Sequence, residues 1–185
     1  SRSNAVFDPE KLAWMNSQYL RALGMDRLAP LVETELKLSG LDSTITASPA
    51  EFQQTVALLQ PRMRTLKDFS GGGRAFFTDD FEYDPEACKK FWKAPGLSAL
   101  LRKLAEKLGR LESFQVGTTE TTLRCLADED GVKAGLLINA TRVALTGQAV
   151  APGLFDVMKV LGQARTVERL RRAADFLGDP GAGRF

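Results

Sequence analysis

The chain has 185 residues, 44% of them apolar and 8% aromatic, and its 25 basic and 23 acidic side chains leave a net charge of +2. That is enough apolar material for a core and too little net charge for disorder, while no apolar run reaches the roughly 20 residues a membrane helix needs. Histidine is absent, which removes the commonest general base, the usual triad and the commonest metal ligand together.

Cys88 and Cys125 form no CxxC and suggest neither a disulfide scaffold nor a zinc site, as expected of a soluble protein in a reducing cytoplasm. Nothing at the N-terminus resembles a signal peptide. A start at Ser1 without an initiator methionine reads as a piece excised from a longer chain. The charge is uneven: residues 1–60 carry 5 basic and 7 acidic groups, residues 61–120 carry 11 and 9, and residues 121–185 carry 9 and 7.

In chain order, "DPEKLAWMNSQYLRALG" predicts a helix with Asp8 as N-cap, Pro9 at the first helical position and Gly24 as stop, with Leu12, Met15, Tyr19 and Leu23 on one face. A shorter helix runs from about Asp26 to Lys37 and ends at Gly40. "SPAEFQQTVALLQP" supplies a capping box, Ser48 with Glu51, then Pro49 at the helix start and Pro61 as terminator. The next helix is expected to start at Arg62 and end in "SGGGR", whose glycines read as a hinge.

Asp84 and Pro85 start another helix, and "GLSALLRKLAEKLG" places Leu97, Leu100, Leu101, Leu104 and Leu108 on one face with Arg102, Lys103, Glu106 and Lys107 opposite. Further helices are expected at about 118–128, 131–140, 152–161 and 166–177, although "LLINATRVAL" also has strand propensity. Roughly ten helical segments without a hairpin signal make the fold class all-α, a helical bundle or cage. One subdomain is placed at 1–70 and another at 71–178, its start read at about 75 or 115, with 179–185 as a flexible tail.

No catalytic residue and no metal site is assigned. "SGGGR" lacks the lysine and hydroxyl of a phosphate-cradling loop, and Asp79, Asp80, Glu82 and Asp84 miss the EF-hand spacing, with Asp84 already serving as a cap. Two basic groupings remain. Arg165, Arg169 and Arg172 recur on one face of the last helix, and Lys89, Lys90, Lys93, Arg102 and Lys103 follow Phe76, Phe77, Phe81, Tyr83, Phe91 and Trp92. Cations beside aromatics suit single-stranded nucleic acid, but composition favours the core for most of these rings.

"RVALTGQAVAPGLFDVMKVLGQARTVERLRRA" at 142–173 resembles the C-terminal end of bacterial glutamyl-tRNA synthetases, class I enzymes. "RSNAVFDPEKLAWMNSQYL" is similar to the segment beyond their KMSKS loop, and "LLQPRMRTLKDF" and "AFFTDDFEYDPEA" resemble the linking region, so the likeness spans residues 2–177. The resemblance implies a tRNA-binding part alone, with the HIGH and KMSKS signatures and the catalytic domain upstream of Ser1. It implies a helical cage around the unstacked anticodon loop, a preceding segment that braces the inside of the tRNA, and no charging of tRNA by this part. The partners implied are tRNA(Glu), tRNA(Gln) as a second candidate, and the upstream catalytic domain, without DNA or membrane. The parent enzyme would use ATP and Mg, with no cofactor in this part.

By the family's pattern, Arg62 matches the arginine at the third anticodon base, Arg142 a position near the middle base, and Ala151, Pro152 and Leu154 the loop beside the first base. Ala151 stands where the family often carries a hydroxyl residue. Arg165, Arg169 and Arg172 are candidate contacts to the tRNA backbone. The plainer reading pairs Arg62 with Glu51 or Asp68 and buries Arg142 against an acid. The alternative function is a helical protein-interaction module derived from such a domain.

Overall fold

The structure, a computed structural model, describes residues 9–41 and 48–178. Asp8 as a cap, the stretch before it and the expected tail at 179–185 lie outside the described residues. The chain divides after Asp79 into two compact units, Ser1–Asp79 and Asp80–Phe185. The division therefore falls beyond the glycine run, nearer to 75 than to 115.

Four helices and one 3-10 turn of the first unit precede its last short helix: α1 (Pro9–Ala22), α2 (Met25–Leu38), α3 (Pro49–Leu59), the turn Gln60–Arg62, α4 (Lys67–Ser70) and α5 (Arg74–Phe77). At the end of α2 the N–H of Leu41 reaches the carbonyl of Leu36 and that of Gly40 the carbonyl of Lys37, with Gly40 at φ 69°. This is the Schellman arrangement, in which the glycine accepts a left-handed backbone that a side chain would strain. Ser48 caps α3 by accepting from the N–H of Glu51, with Pro49 in the first turn, as the sequence predicts.

The unit's core is Leu28, Val32 and Leu36 of α2 against Val56 and Leu59 of α3, closed by Phe69, Phe76 and Phe77. Each such side chain contributes about 1.5–3 kcal/mol on leaving water. The predicted apolar face of α1 is largely exposed: Leu12, Met15 and Tyr19 are exposed, Leu23 is half-buried, and Leu20, outside that set, turns inward.

Beyond Pro61 the chain also differs from expectation. No helix begins at Arg62; that residue closes the 3-10 turn, Met63 is extended (φ −84°, ψ 139°), and helix resumes only at Lys67. Pro61 has no N–H for an α-helical bond, yet the tighter turn needs only the bond from Met63 N–H to Gln60 O, which is present. The glycine run joins α4 to α5 inside the first unit. A Cβ on Gly73 would lie 2.7 Å from the carbonyl oxygen of Phe69, so this glycine serves a close backbone approach.

The second unit holds α6 (Pro85–Phe91), α7 (Leu97–Gly109), α8 (Val116–Glu129), α9 (Ala134–Thr146) and α10 (Leu154–Gly178). Helix α6 is capped as predicted, Asp84 accepting from Glu86 N–H. The "LLINATRVAL" stretch is helical, within α9. Helix α10 is broken at Gly162 (φ 77°, ψ 167°), so it is two helical segments that meet at a sharp bend.

Helix α7 buries the predicted leucines chiefly against α10, whose inward residues include Val157, Met158, Leu170, Ala173 and Ala174. The alanines let the two backbones approach, and the Ser98 hydroxyl donates to the carbonyl of Ala174 at 2.7 Å. Immediately after the bend, the Gln163 amide donates to Leu108 O and to Leu111 O at 2.8 and 2.9 Å, tying the start of the second segment to the end of α7, where Leu108 O also accepts from Leu111 N–H. The first unit repeats the device: the Gln60 amide donates to Leu20 O and Leu23 O at 2.7 and 2.9 Å, binding the 3-10 turn to the end of α1. No strand is present among the described residues.

Candidate nucleic-acid interface

The turn that Gln60 anchors carries Arg62 on its outer side, exposed. Neither expected acid holds it. The Asp68 carboxylate accepts from Arg64 N–H (2.6 Å), Thr65 N–H (3.0 Å) and the Thr65 hydroxyl (3.0 Å), so it organises the loop into α4. Arg62 and α1 together wall a cleft of about 670 Å³ lined by Glu10, Ala13, Trp14, Ser17, Gln18, Arg21, Arg62 and Arg64. Positions 10, 14, 17 and 21 recur at helical spacing, so one stripe of α1 faces the turn. Arg21, Arg62 and Arg64 make no side-chain ion pair or hydrogen bond with any described residue. The sequence does not place Trp14 and Arg21 beside Arg62, because only the Gln60 anchor brings α1 beside the turn.

In the second unit Arg142 projects from α9, half-buried, and its guanidinium donates to the side-chain oxygen of Asn139 at 2.6 Å. The partner is a neutral amide, not the acid expected of a structural bridge. Burial pushes the Arg142 pKa down from its ordinary value, but an arginine starts far enough above neutrality to stay charged. One hydrogen bond leaves most of its five donors uncommitted.

After α9 the chain turns at Gly147 (φ 74°), which is buried beneath the Phe81–Glu82 segment; a Cβ there would run into the carbonyl of Glu82. Asp84 N–H bonds Gly147 O at 2.8 Å and ties the same two segments. The loop that follows does not present all the residues expected of it. Leu154 is 2% exposed and begins α10, and Pro152 is buried, so both support the loop from beneath. Ala151 is half-buried, and the residue that stands out is Val150, 80% exposed.

The arginines of α10 have different fates. Arg169 is only 2% exposed: its guanidinium donates to Leu145 O at 2.6 Å and lies 4.7 Å from the Phe81 ring centre. A cation so enclosed is a core group in this structure and does not offer itself to a backbone phosphate, which corrects the expectation for that residue. Arg172 is half-buried, 4.5 Å from the Phe81 ring centre, with its Nε 3.4 Å from the Tyr83 hydroxyl. Burial raises the Tyr83 phenol pKa, opposed by the hydrogen bond and the charge from Arg172. Arg165, one turn before Arg169, is half-buried.

The other cationic grouping is largely matched by acids. Lys89 pairs with Glu86 (2.8 Å), Arg102 with Asp175, Lys103 with Asp130 (2.7 Å) and Lys107 with Glu129 (2.8 Å). Lys90 and Lys93 are exposed beside Phe91. Among the rings expected in the core, Phe76, Phe77 and Trp92 are buried, and the Trp92 indole donates to Ala140 O at 3.1 Å. Phe81, Tyr83 and Phe91 are half-buried. Among the described residues no group of three or more acid or cysteine side chains is placed to hold a metal ion.

A protein family described as an anticodon binding domain matches residues 24–174. Glutamate–tRNA ligase 2 of Koribacter versatilis is 50% identical over 176 residues, covering 95% of this chain and 36% of that protein. Glutamate–tRNA ligase of Desulforudis audaxviator is 36% identical over 183 residues, covering 96% of this chain and 36% of its own length. The crystal structure of a glutamate tRNA ligase from Elizabethkingia meningosepticum in complex with its amino acid superposes with a TM-score of 0.81 at 26% identity, over 95% of this chain and 34% of that one. The chain thus spans about a third of the length of the relatives it matches. It belongs to the anticodon-binding domain family, in the form found in the C-terminal region of glutamate–tRNA ligases.

Proposed function

We propose that the chain binds the anticodon loop of tRNA(Glu) and that Arg62 reads the third anticodon base. The observation that carries this reading is the state of Arg62: exposed at the end of an anchored turn, without an acid to neutralise it, in a chain of the anticodon-binding family. Glutamate anticodons end in C and glutamine anticodons in G. The guanidinium is a fork of donors with no acceptor, so it suits the O2 and N3 acceptors on the pairing edge of C and opposes the N1 and N2 donors of G. Such a contact is worth about 1–3 kcal/mol of discrimination.

The uncommitted donors of Arg142 suit the acceptors of the middle base, U. With Pro152 and Leu154 beneath it, the 147–153 loop would meet the first base through its backbone, Ala151 and Val150, a contact tolerant of C or a modified U. In the longer protein this part would serve a ligase that joins glutamate to tRNA with ATP and magnesium bound elsewhere, and this part itself would not charge tRNA.

Filter binding of the chain to tRNA(Glu), to the same tRNA with G as third anticodon base, and to tRNA(Gln) tests the proposal. tRNA(Glu) should bind most tightly, with affinity falling as salt rises by a logarithmic slope of roughly −0.7 per phosphate neutralised in a single strand. Binding that ignores the third base removes the role of Arg62, and the absence of salt-dependent RNA binding removes the function.

A further inference from the structure

We infer that the cleft between α1 and the 60–64 turn is a nucleotide subsite, in which Trp14 stacks one unstacked base of single-stranded RNA and Arg21 and Arg64 hold its phosphates. The inference rests on the proposed RNA-binding function and extends it to three residues that the match to the family's base readers does not include.

The first observation is Trp14 itself. It is 63% exposed although it is among the largest apolar side chains in the chain, and it lines the cleft. A solitary exposed ring needs no explanation, but an indole beside three arginines without acid partners is the pairing of π-face and cation that single-stranded nucleic acid requires.

The second observation is charge. Several cations elsewhere are matched by a carboxylate, as at Lys37–Glu33, Lys103–Asp130, Lys107–Glu129 and Arg124–Glu120. At the cleft three arginines that no described acid pairs lie together, and Glu10 is the one acid in the lining. Arg21 and Arg64 draw the phosphates, which leaves the base to the Trp14 ring in the same lining.

The third observation is size and rigidity. A cleft of about 670 Å³ admits a base with its sugar and phosphate. Its two walls are fixed to each other by the Gln60 amide on Leu20 O and Leu23 O. Gln18 on the same stripe has both a donor and an acceptor and meets any base edge, so stacking with little sequence selectivity is expected beside the selective Arg62.

The test uses the full chain and a short hairpin RNA with a glutamate anticodon in its loop. Trp92 is buried and Trp14 exposed, so RNA-dependent quenching of the exposed-indole emission reports Trp14. Trp14→Ala should weaken hairpin binding about 5- to 150-fold, the equivalent of 1–3 kcal/mol per stacked base, and Trp14→Phe should restore most of it. Arg21→Gln and Arg64→Gln should each reduce the magnitude of the salt slope by about 0.7 while preserving the preference for C over G at the third base. Circular dichroism checks folding, and each of these side chains is exposed.

If Trp14→Ala binds the hairpin as tightly as the unaltered chain, with discrimination at the third base intact, the subsite is wrong, the indole serves a protein contact, and the anticodon reading survives. Failure of the unaltered chain to bind the hairpin sinks both.

Discussion

At the scale of single residues, identical chemistry has been put to opposite uses. Arg62 and Arg169 are both arginines in a basic neighbourhood, but one ends a turn in water and the other is enclosed by Phe81 and the Leu145 carbonyl. Arg62→Gln should cut the preference for C over G at the third anticodon base about 5- to 150-fold, measured as a ratio of tRNA dissociation constants, with the chain's stability unchanged. Arg169→Met should leave that ratio alone and lower the denaturation midpoint instead, because the Leu145 carbonyl loses its donor inside the core. The two cysteines divide similarly. Burial pushes the Cys88 thiol up from 9.0 to about 11, while Cys125 is exposed. A thiol reagent should therefore label Cys125 alone in the native chain. Because the folded thiol holds its proton more tightly than the unfolded one, stability is unaffected below pH 9 and falls as pH rises from about 9 towards 11. Cys88→Ala should flatten part of that fall, the raised Tyr83 phenol contributing another part.

At the scale of elements, legibility followed how local the determining interaction is. Caps are read from three or four adjacent residues, and those at Ser48 and Asp84 form as expected. The leucine face of α7 is equally plain, since a helix 13 residues long repeats its pattern often enough to be unambiguous. The exposed face of α1 shows the limit: Leu12, Met15 and Tyr19 announce an apolar stripe, but periodicity does not say whether a partner covers it. Pro61 marks a helix boundary in the sequence, whereas the 3-10 turn through Arg62 is tied by a bond to a helix some forty residues earlier, which no local pattern announces. Gly147 is a device of the same long-range kind. Its left-handed backbone and the Glu82 carbonyl above it leave no place for a side chain. Gly147→Ala should destabilise the chain by about 2 kcal/mol or more, seen in urea melts, and should weaken reading of the first anticodon base before that of the third.

At the scale of the whole molecule, the all-α class, the order of helices and the family were legible because each rests on patterns repeated along the chain. The division after Asp79 was not, since it depends on which helices exchange contacts. Residues 80–185, expressed alone, should fold and melt in a single cooperative transition followed by circular dichroism, since α7 to α10 supply their own core. The ion pairs that tie α7 to α8 and α10 have a kinetic meaning as well as a structural one. A cation already matched by a carboxylate adds little to the field felt by a distant polyanion, and the net charge is only +2. On the proposed reading, arbitrary RNA would feel little pull from a distance, and discrimination would be exercised through how soon each RNA leaves.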